Sequence, residues 1–291
     1  MRIYFSEAYN ETGVGFDTTR KAVRVARLLG ERPIEGVCVV APVAASFDEL
    51  AEVHDVAYLD ALVGGEPYSL AASNGIGWDP QLLAAAAAST GGIRDAALAA
   101  LEEGRSGSLS SGLHHAKAGK GHGYCTLNGL VVAARAAIGA GARRVVIVDL
   151  DAHCGGGTAS LIDGVEGIEQ VDVSVSYFDP YESRPDARLT MARAGDYLDV
   201  ISGELAEIAA PGSIDLVLYN AGMDPHEDAR GVSGITTEVI VQREELVFGW
   251  AARHRLPVAF ALAGGYQYGD FTLDDVAALH TITIRAAARW N

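Results

Sequence analysis

Short, nearly unbroken apolar runs punctuate this chain, separated by longer stretches in which Ala, Leu and Val recur among polar residues. The strongest run, Arg144-Val145-Val146-Ile147-Val148-Asp149-Leu150, is rich in β-branched residues and lies between Gly141 and Gly155-Gly156-Gly157. A strand without polar alternation is covered on both faces, as in a parallel sheet. Similar runs predict strands at residues 36–40, 171–177, 214–219 and 257–263, and residues 1–7 predict a short first one. Helices are expected over residues 127–138, 196–209, 237–254 and 273–288. Another should open at Asp79-Pro80, with Asp79 as N-cap and Pro80 at the first helical position. Residues 178–195, mixed in charge, read as a surface loop. No Ser- or Pro-rich linker divides the chain, so alternating strands and helices predict one α/β domain over residues 1–291.

Composition narrows the function. The chain carries 22 Lys plus Arg against 38 Asp plus Glu, a net charge of −16. No basic excess is available to neutralise phosphates, so no nucleic-acid partner is expected. The longest stretches free of Asp, Glu, Lys and Arg run to about 14 residues, short of the roughly 18 to 20 that cross a bilayer. No membrane association is expected, and without a signal-peptide pattern at the start the default location is cytoplasmic. Cys38, Cys125 and Cys154 form no C-x-x-C motif, which argues against a disulfide framework or a Cys-rich zinc site.

Candidate chemistry gathers just after the predicted strands, where ligands bind in parallel α/β folds. Side chains two apart on a strand share a side, so Asp151 and His153 can reach one ion. Carboxylate oxygen and imidazole nitrogen suit zinc or ferrous iron better than magnesium. Asp224, beyond the 214–219 strand, is a third candidate ligand, although Asp224-Pro225 also suits a simple turn. His114 and His115 form a pair. Gly119-Lys120-Gly121 lacks the following Ser or Thr of a phosphate loop. After the last predicted strand, Gly264 and Gly265 let backbone approach a ligand, and the Tyr266 hydroxyl can donate a hydrogen bond.

Leu113-His114-His115-Ala116, Gly123-Tyr124-Cys125-Thr126-Leu127-Asn128, Asp149-Leu150-Asp151-Ala152-His153, Asn220-Ala221-Gly222-Met223-Asp224 and Gly264-Gly265-Tyr266 together resemble the histone-deacetylase superfamily, which includes acetylpolyamine amidohydrolases. Val53-His54-Asp55-Val56-Ala57-Tyr58-Leu59 adds an early match. The Asn-Ala-Gly-x-Asp segment and Arg243-Glu244-Glu245-Leu246-Val247-Phe248 look most like the class IV branch. The resemblance implies the arginase/deacetylase fold, with a mostly parallel eight-stranded sheet flanked by helices. It also implies zinc held by Asp151, His153 and Asp224 at the base of a narrow channel. By the same likeness, Asp149 would hold His114, His115 would handle proton transfer, and Tyr266 would support the tetrahedral oxygen. Tyr124 would wall the channel beside Gly123, with Gly265 also at the substrate. Asp79 would hold substrate amides, in competition with its N-cap reading. His54 is no catalytic match.

The activity so implied is hydrolysis of an N-acyl amine, acyl-lysine in protein or a small acylated amine, by metal-activated water. One departure stands out. Many members have an Asp beside the second histidine where this chain has Gly156. Either another group substitutes, Asn128 being one candidate, or the rate is low. The alternative is a non-enzymatic metal- or ligand-binding protein with a decayed site. A ureohydrolase of the same broad fold would need more carboxylates for its two metals. No long extra segment narrows the entrance as in dimeric polyamine deacetylases, so a monomer with an open rim is expected.

Overall fold

The computed structural model describes residues 1–111 and 113–290. Its strands are β1 (Arg2–Tyr4), β2 (Cys38–Val40), β3 (Arg105–Ser108), β4 (Val145–Asp149), β5 (Ile168–Ser174), β6 (Ala187–Met191), β7 (Leu216–Gly222) and β8 (Val258–Ala263). They form one eight-stranded sheet in the order β2-β1-β3-β8-β7-β4-β5-β6, and every neighbouring pair is parallel. The helices are α1 (Asp17–Glu31), α2 (Phe47–Ala51), α3 (Val56–Gly64), α4 (Tyr68–Ala71), α5 (Leu82–Glu103), α6 (Gly129–Gly139), α7 (Gly156–Ile162), α8 (Tyr197–Ala206), α9 (Thr237–His254) and α10 (Leu273–Arg289). Among the described residues, no helix is long and apolar enough to cross a membrane.

Alternation along the central strands sorts their side chains between two cores. Val146 and Val148 of β4 join Val217, Tyr219 and Phe260 in a cluster with residues of α1, α8, α9 and α10. Val145 and Ile147 join Leu216, Leu218 and Ala259 on the other face, with residues of α3, α5 and α6. The unbroken apolar run of β4 is therefore two half-patterns, each buried under its own helical layer.

Several boundaries differ from those the pattern predicts. α5 begins at Leu82, with Gln81 as its N-cap. Asp79 instead accepts from Gln81 N at 2.8 Å, an Asx turn two residues ahead of the helix. β5 lies three residues earlier than expected, because the N–H groups of Val175 and Ser176 leave the sheet ladder for the carbonyl of Ala152. The expected loop 178–195 contains β6, an edge strand whose half-exposed residues lack the apolar signal of a core strand. β3, Arg105-Ser106-Gly107-Ser108, carries no hydrophobic side chain, yet sits between β1 and β8. The ring of Phe260 fills the space that a side chain at Gly107 would need. Parallel pairing brings the C-terminal ends of all these strands to one rim.

Candidate active site

At that rim β4 and β7 lie side by side, with Asp149 in register with Asn220. Asp151 and His153 follow β4, and a lone parallel bridge from His153 to Ser176 carries extended geometry past the strand's end. Asp224 comes two residues after β7. His153 Nδ1 is 3.1 Å from Asp151 Oδ1 and 3.2 Å from Asp224 Oδ2. One ligand atom from each of the three residues lies within 4.8 Å of the others. Cys154 turns away, its Sγ reaching Ser176 O at 3.5 Å and Met191 Sδ at 3.9 Å, as strand alternation expects.

This trio fits a divalent cation. Asp224 Oδ1 accepts from Ala152 N at 2.9 Å, whereas Oδ2 is buried without a hydrogen-bond partner. A buried acceptor left so costs about 1–3 kcal/mol, and a shared cation would satisfy it. Burial opposes a charge on His153, but the carboxylates of Asp151 and Asp224 beside its Nδ1 outweigh that and hold the imidazole up, at about 11. The point between two carboxylates calls for positive charge. One nitrogen and two carboxylate donors suit zinc or ferrous iron. Gly264 passes so close to Asp224 that any side chain there would run into the carboxylate. Behind the trio, fully buried Arg243 of α9 donates from Nη1 to Gly222 O at 2.6 Å and to Leu150 O at 3.3 Å, bridging the two ligand-bearing segments.

His114 and His115 pack against each other, ring centroids 3.9 Å apart. His114 Nδ1 lies 2.8 Å from Asp149 Oδ2, and Asn220 Nδ2 donates to the other oxygen at 2.8 Å. Burial disfavours charge on His114, but Asp149 and Asp151 prevail and hold it up, at about 10. Burial and the charge of His114 push His115 down to about 4, against the pull of Asp179. A neutral imidazole at pH 7 is competent to accept a proton.

The partner of His115 is one the sequence reading missed. Its Nδ1 lies 3.1 Å from Asp179 Oδ2, which also accepts from Gly157 N at 3.1 Å, while Lys117 Nζ donates to Oδ1 at 2.9 Å. Burial works against the charge on Asp179, but His115 and Lys117 hold its carboxyl below the usual range. Asn128, the expected substitute, is otherwise engaged. Its Oδ1 accepts from Val131 N as the N-cap of α6, and its Nδ2 donates to Ala116 O at 3.2 Å and Thr158 Oγ1 at 3.1 Å. His54 is structural, accepting from Asn128 N and donating from Nδ1 to Lys117 O, both at 3.0 Å.

A small cavity joins these groups, lined among others by His114, His115, Asp151, Gly123, Gly264 and Tyr266. Burial and the carboxylates of Asp224 and Asp151 push the Tyr266 hydroxyl well above its ordinary value, so it remains a donor. Phe16 stands 5.5 Å from the Tyr266 ring and 4.3 Å from Tyr124 between centroids. Phe178 packs edge-on against His115 at 5.0 Å and His153 at 5.7 Å. Tyr124 and Phe178 are both 40% exposed, giving the rim two aromatic faces. Phe16 and Phe178 were not foreseen. The available signal for Phe178 was its position just past a strand at the same rim. Gly265 lies behind Gly264, against Met223 and Val276. Asp79 is tied to Thr12 Oγ1 at 3.4 Å, outside the histidine and carboxylate cluster.

Sheet, rim and ligand trio define an α/β protein with a metal-capable centre of hydrolase type. Residues 16–189 match the histone deacetylase domain, and the chain belongs to that family. It is 31% identical over 242 residues to an uncharacterized protein of Picosynechococcus sp., covering 81% of this chain and 80% of the relative. It is 25% identical over 289 residues to histone deacetylase 2 of Arabidopsis thaliana, covering 92% of this chain and 75% of that one. The crystal structure of the HDA15 HD domain has a similar fold, with a TM-score of 0.76 at 17% identity, covering 100% of this chain and 90% of that one.

Proposed function

We propose that this chain is a metal-dependent deacylase that hydrolyses an N-acyl amine, an acyl-lysine or a small acylated amine. The observation that carries the reading is convergence: a neutral imidazole, a protonated phenol and Asp151 line one small cavity, and His153 and Asp224 gather around Asp151 beside it. Zinc or ferrous iron held by that trio supplies Lewis acidity and water acidic enough to ionise near neutral pH. His115 takes the proton of the attacking water and returns it to the departing amine. His114, charged through Asp149, keeps its neighbour neutral and adds positive potential to the cavity. Tyr266 donates to the oxygen on which negative charge develops, and the aromatic rim excludes water from the acyl group's flank. The main motive for a decayed, binding-only protein was the missing carboxylate at Gly156, and Asp179 now stands beside His115 instead.

The test is hydrolysis of a panel of acylated lysines and polyamines by protein loaded with zinc or ferrous iron. Chelation should abolish turnover. Tyr266→Phe should keep the fold and lower kcat about 100- to 1,000-fold, the effect of removing one oxyanion donor. Unchanged kcat in that variant refutes the tyrosine's role. Tight binding of acyl-amine with no turnover by loaded native protein would favour the binding-only alternative.

A further inference from the structure

Gly156 and Asp179 compete for one place. A side chain at Gly156 would start on top of the Asp179 main-chain carbonyl and 2.9 Å from its carboxyl carbon. Gly156 therefore leaves room for the turn that carries residue 179, and this chain delivers the carboxylate beside His115 from that turn after β5 instead of from the start of α7. Residue 179 sits at φ +55, in the left-handed region that Asp tolerates better than most residues with a side chain. Its carboxylate is engaged from three directions, by His115 Nδ1, Gly157 N and Lys117 Nζ. The Lys117 backbone is itself anchored through its carbonyl to His54. So many restraints on one turn residue exceed what a surface loop requires. An ionised carboxylate only accepts hydrogen bonds, so the proton of a neutral His115 sits on Nδ1 and Nε2 is left bare.

We propose that Asp179 is the positioning residue of His115, and that Gly156 is the gap that admits it: one carboxylate has moved from one chain position to another. Its bearing on rate rests on the deacylase reading. The hydrogen bond and the tautomer it sets do not.

The experiment compares native protein with Asp179→Asn, Asp179→Gly and Gly156→Asp. Long-range ¹H–¹⁵N correlation of the imidazoles in metal-free protein reads the His115 tautomer, and steady-state kinetics of the zinc-loaded forms read its consequence. Native His115 should show one tautomer, protonated on Nδ1, and Asp179→Gly should lose that preference. Asp179→Asn should lower kcat about 10- to 100-fold, the scale for a group that orients a site residue, with KM changed less than about twofold. Gly156→Asp alone should also lower kcat, because two groups then contest one space. An unaltered tautomer in Asp179→Gly, or an unchanged kcat in Asp179→Asn, overturns the proposal. Should Asp179→Gly fail to fold, Asp179→Asn decides, since it keeps the side chain's shape and removes only its charge. If loaded native protein hydrolyses nothing, the deacylase reading fails while the tautomer measurement still judges the pairing.

Discussion

Two imidazoles stand side by side and are held by opposite means. The carboxylate behind His114 is the last residue of a central strand, fully buried and braced by Asn220 from the next strand. The one behind His115 comes from a turn at the rim and is shared with a partly exposed lysine. Their protonation diverges accordingly: His114 is pushed up to about 10 and His115 down to about 4. Burial alone would keep both neutral. What separates them is that Asp149 and Asp151 both favour charge on the first ring, and that charge then discourages a second one 3.9 Å away. The deep pair belongs to the fold as much as to the site, whereas the rim pair belongs to the chemistry.

Asp149→Ala tests this contrast most severely. It leaves His114 buried without its partner and removes the acceptor of Asn220 Nδ2 and of Asp151 N. Removing one member of a buried charged pair costs about 3–5 kcal/mol, to be read from urea denaturation. Asp179→Asn, which keeps the side chain's shape and an acceptor oxygen, should cost less, about 1–2 kcal/mol by the same measurement. Equal losses would collapse the distinction.

Metal comes next. Zinc at 100 times its Kd should stabilise metal-free native protein by about 2.7 kcal/mol. Asp179→Asn should show the same gain, since Asp179 touches none of the three ligands. Asp149→Ala should show less, because Asp149 Oδ1 accepts from Asp151 N at 3.2 Å and shapes the ligand turn. Denaturation midpoints with and without zinc check both.

The smallest effect concerns His54, which supports the Lys117 end of the rim pair. Burial lowers its pKa below the ordinary 6.5. The unfolded chain therefore takes up the proton first, so the contribution is present above about pH 6.5 and is lost as pH falls below it. Lowering pH from 7.5 to 5.5 should reduce stability through this group. His54→Gln should flatten that part of the pH dependence in paired denaturation curves.

The same contrast explains what the chain disclosed beforehand. β4, β7 and β8 are legible because their apolar runs are long and their flanks are glycine or charged residues. α9 matches its expected span because periodicity, N-terminal Thr and C-terminal His-Arg agree. Asp151, His153 and Asp224 could be read because each follows a strand at close sequence distance. Asp179 could not. It reaches His115, 64 residues away, only because β5 lies beside β4 and Phe178 O accepts from Cys154 N, a relation that sheet order decides. β3 and β6 were missed for a related reason: their place comes from neighbours, not from their own side chains.

Arg243 has a consequence beyond packing. Its guanidinium staples the main chains leading to Asp151 and Asp224 from the side away from the cavity. The two segments cannot drift apart without breaking hydrogen bonds of a buried guanidinium, which is charge-paired with Glu244, at about 1.5–3 kcal/mol for each bond to a charged group. The cradle is thus held to its spacing by the scaffold rather than by its guest, so an incoming ion meets donors already in position.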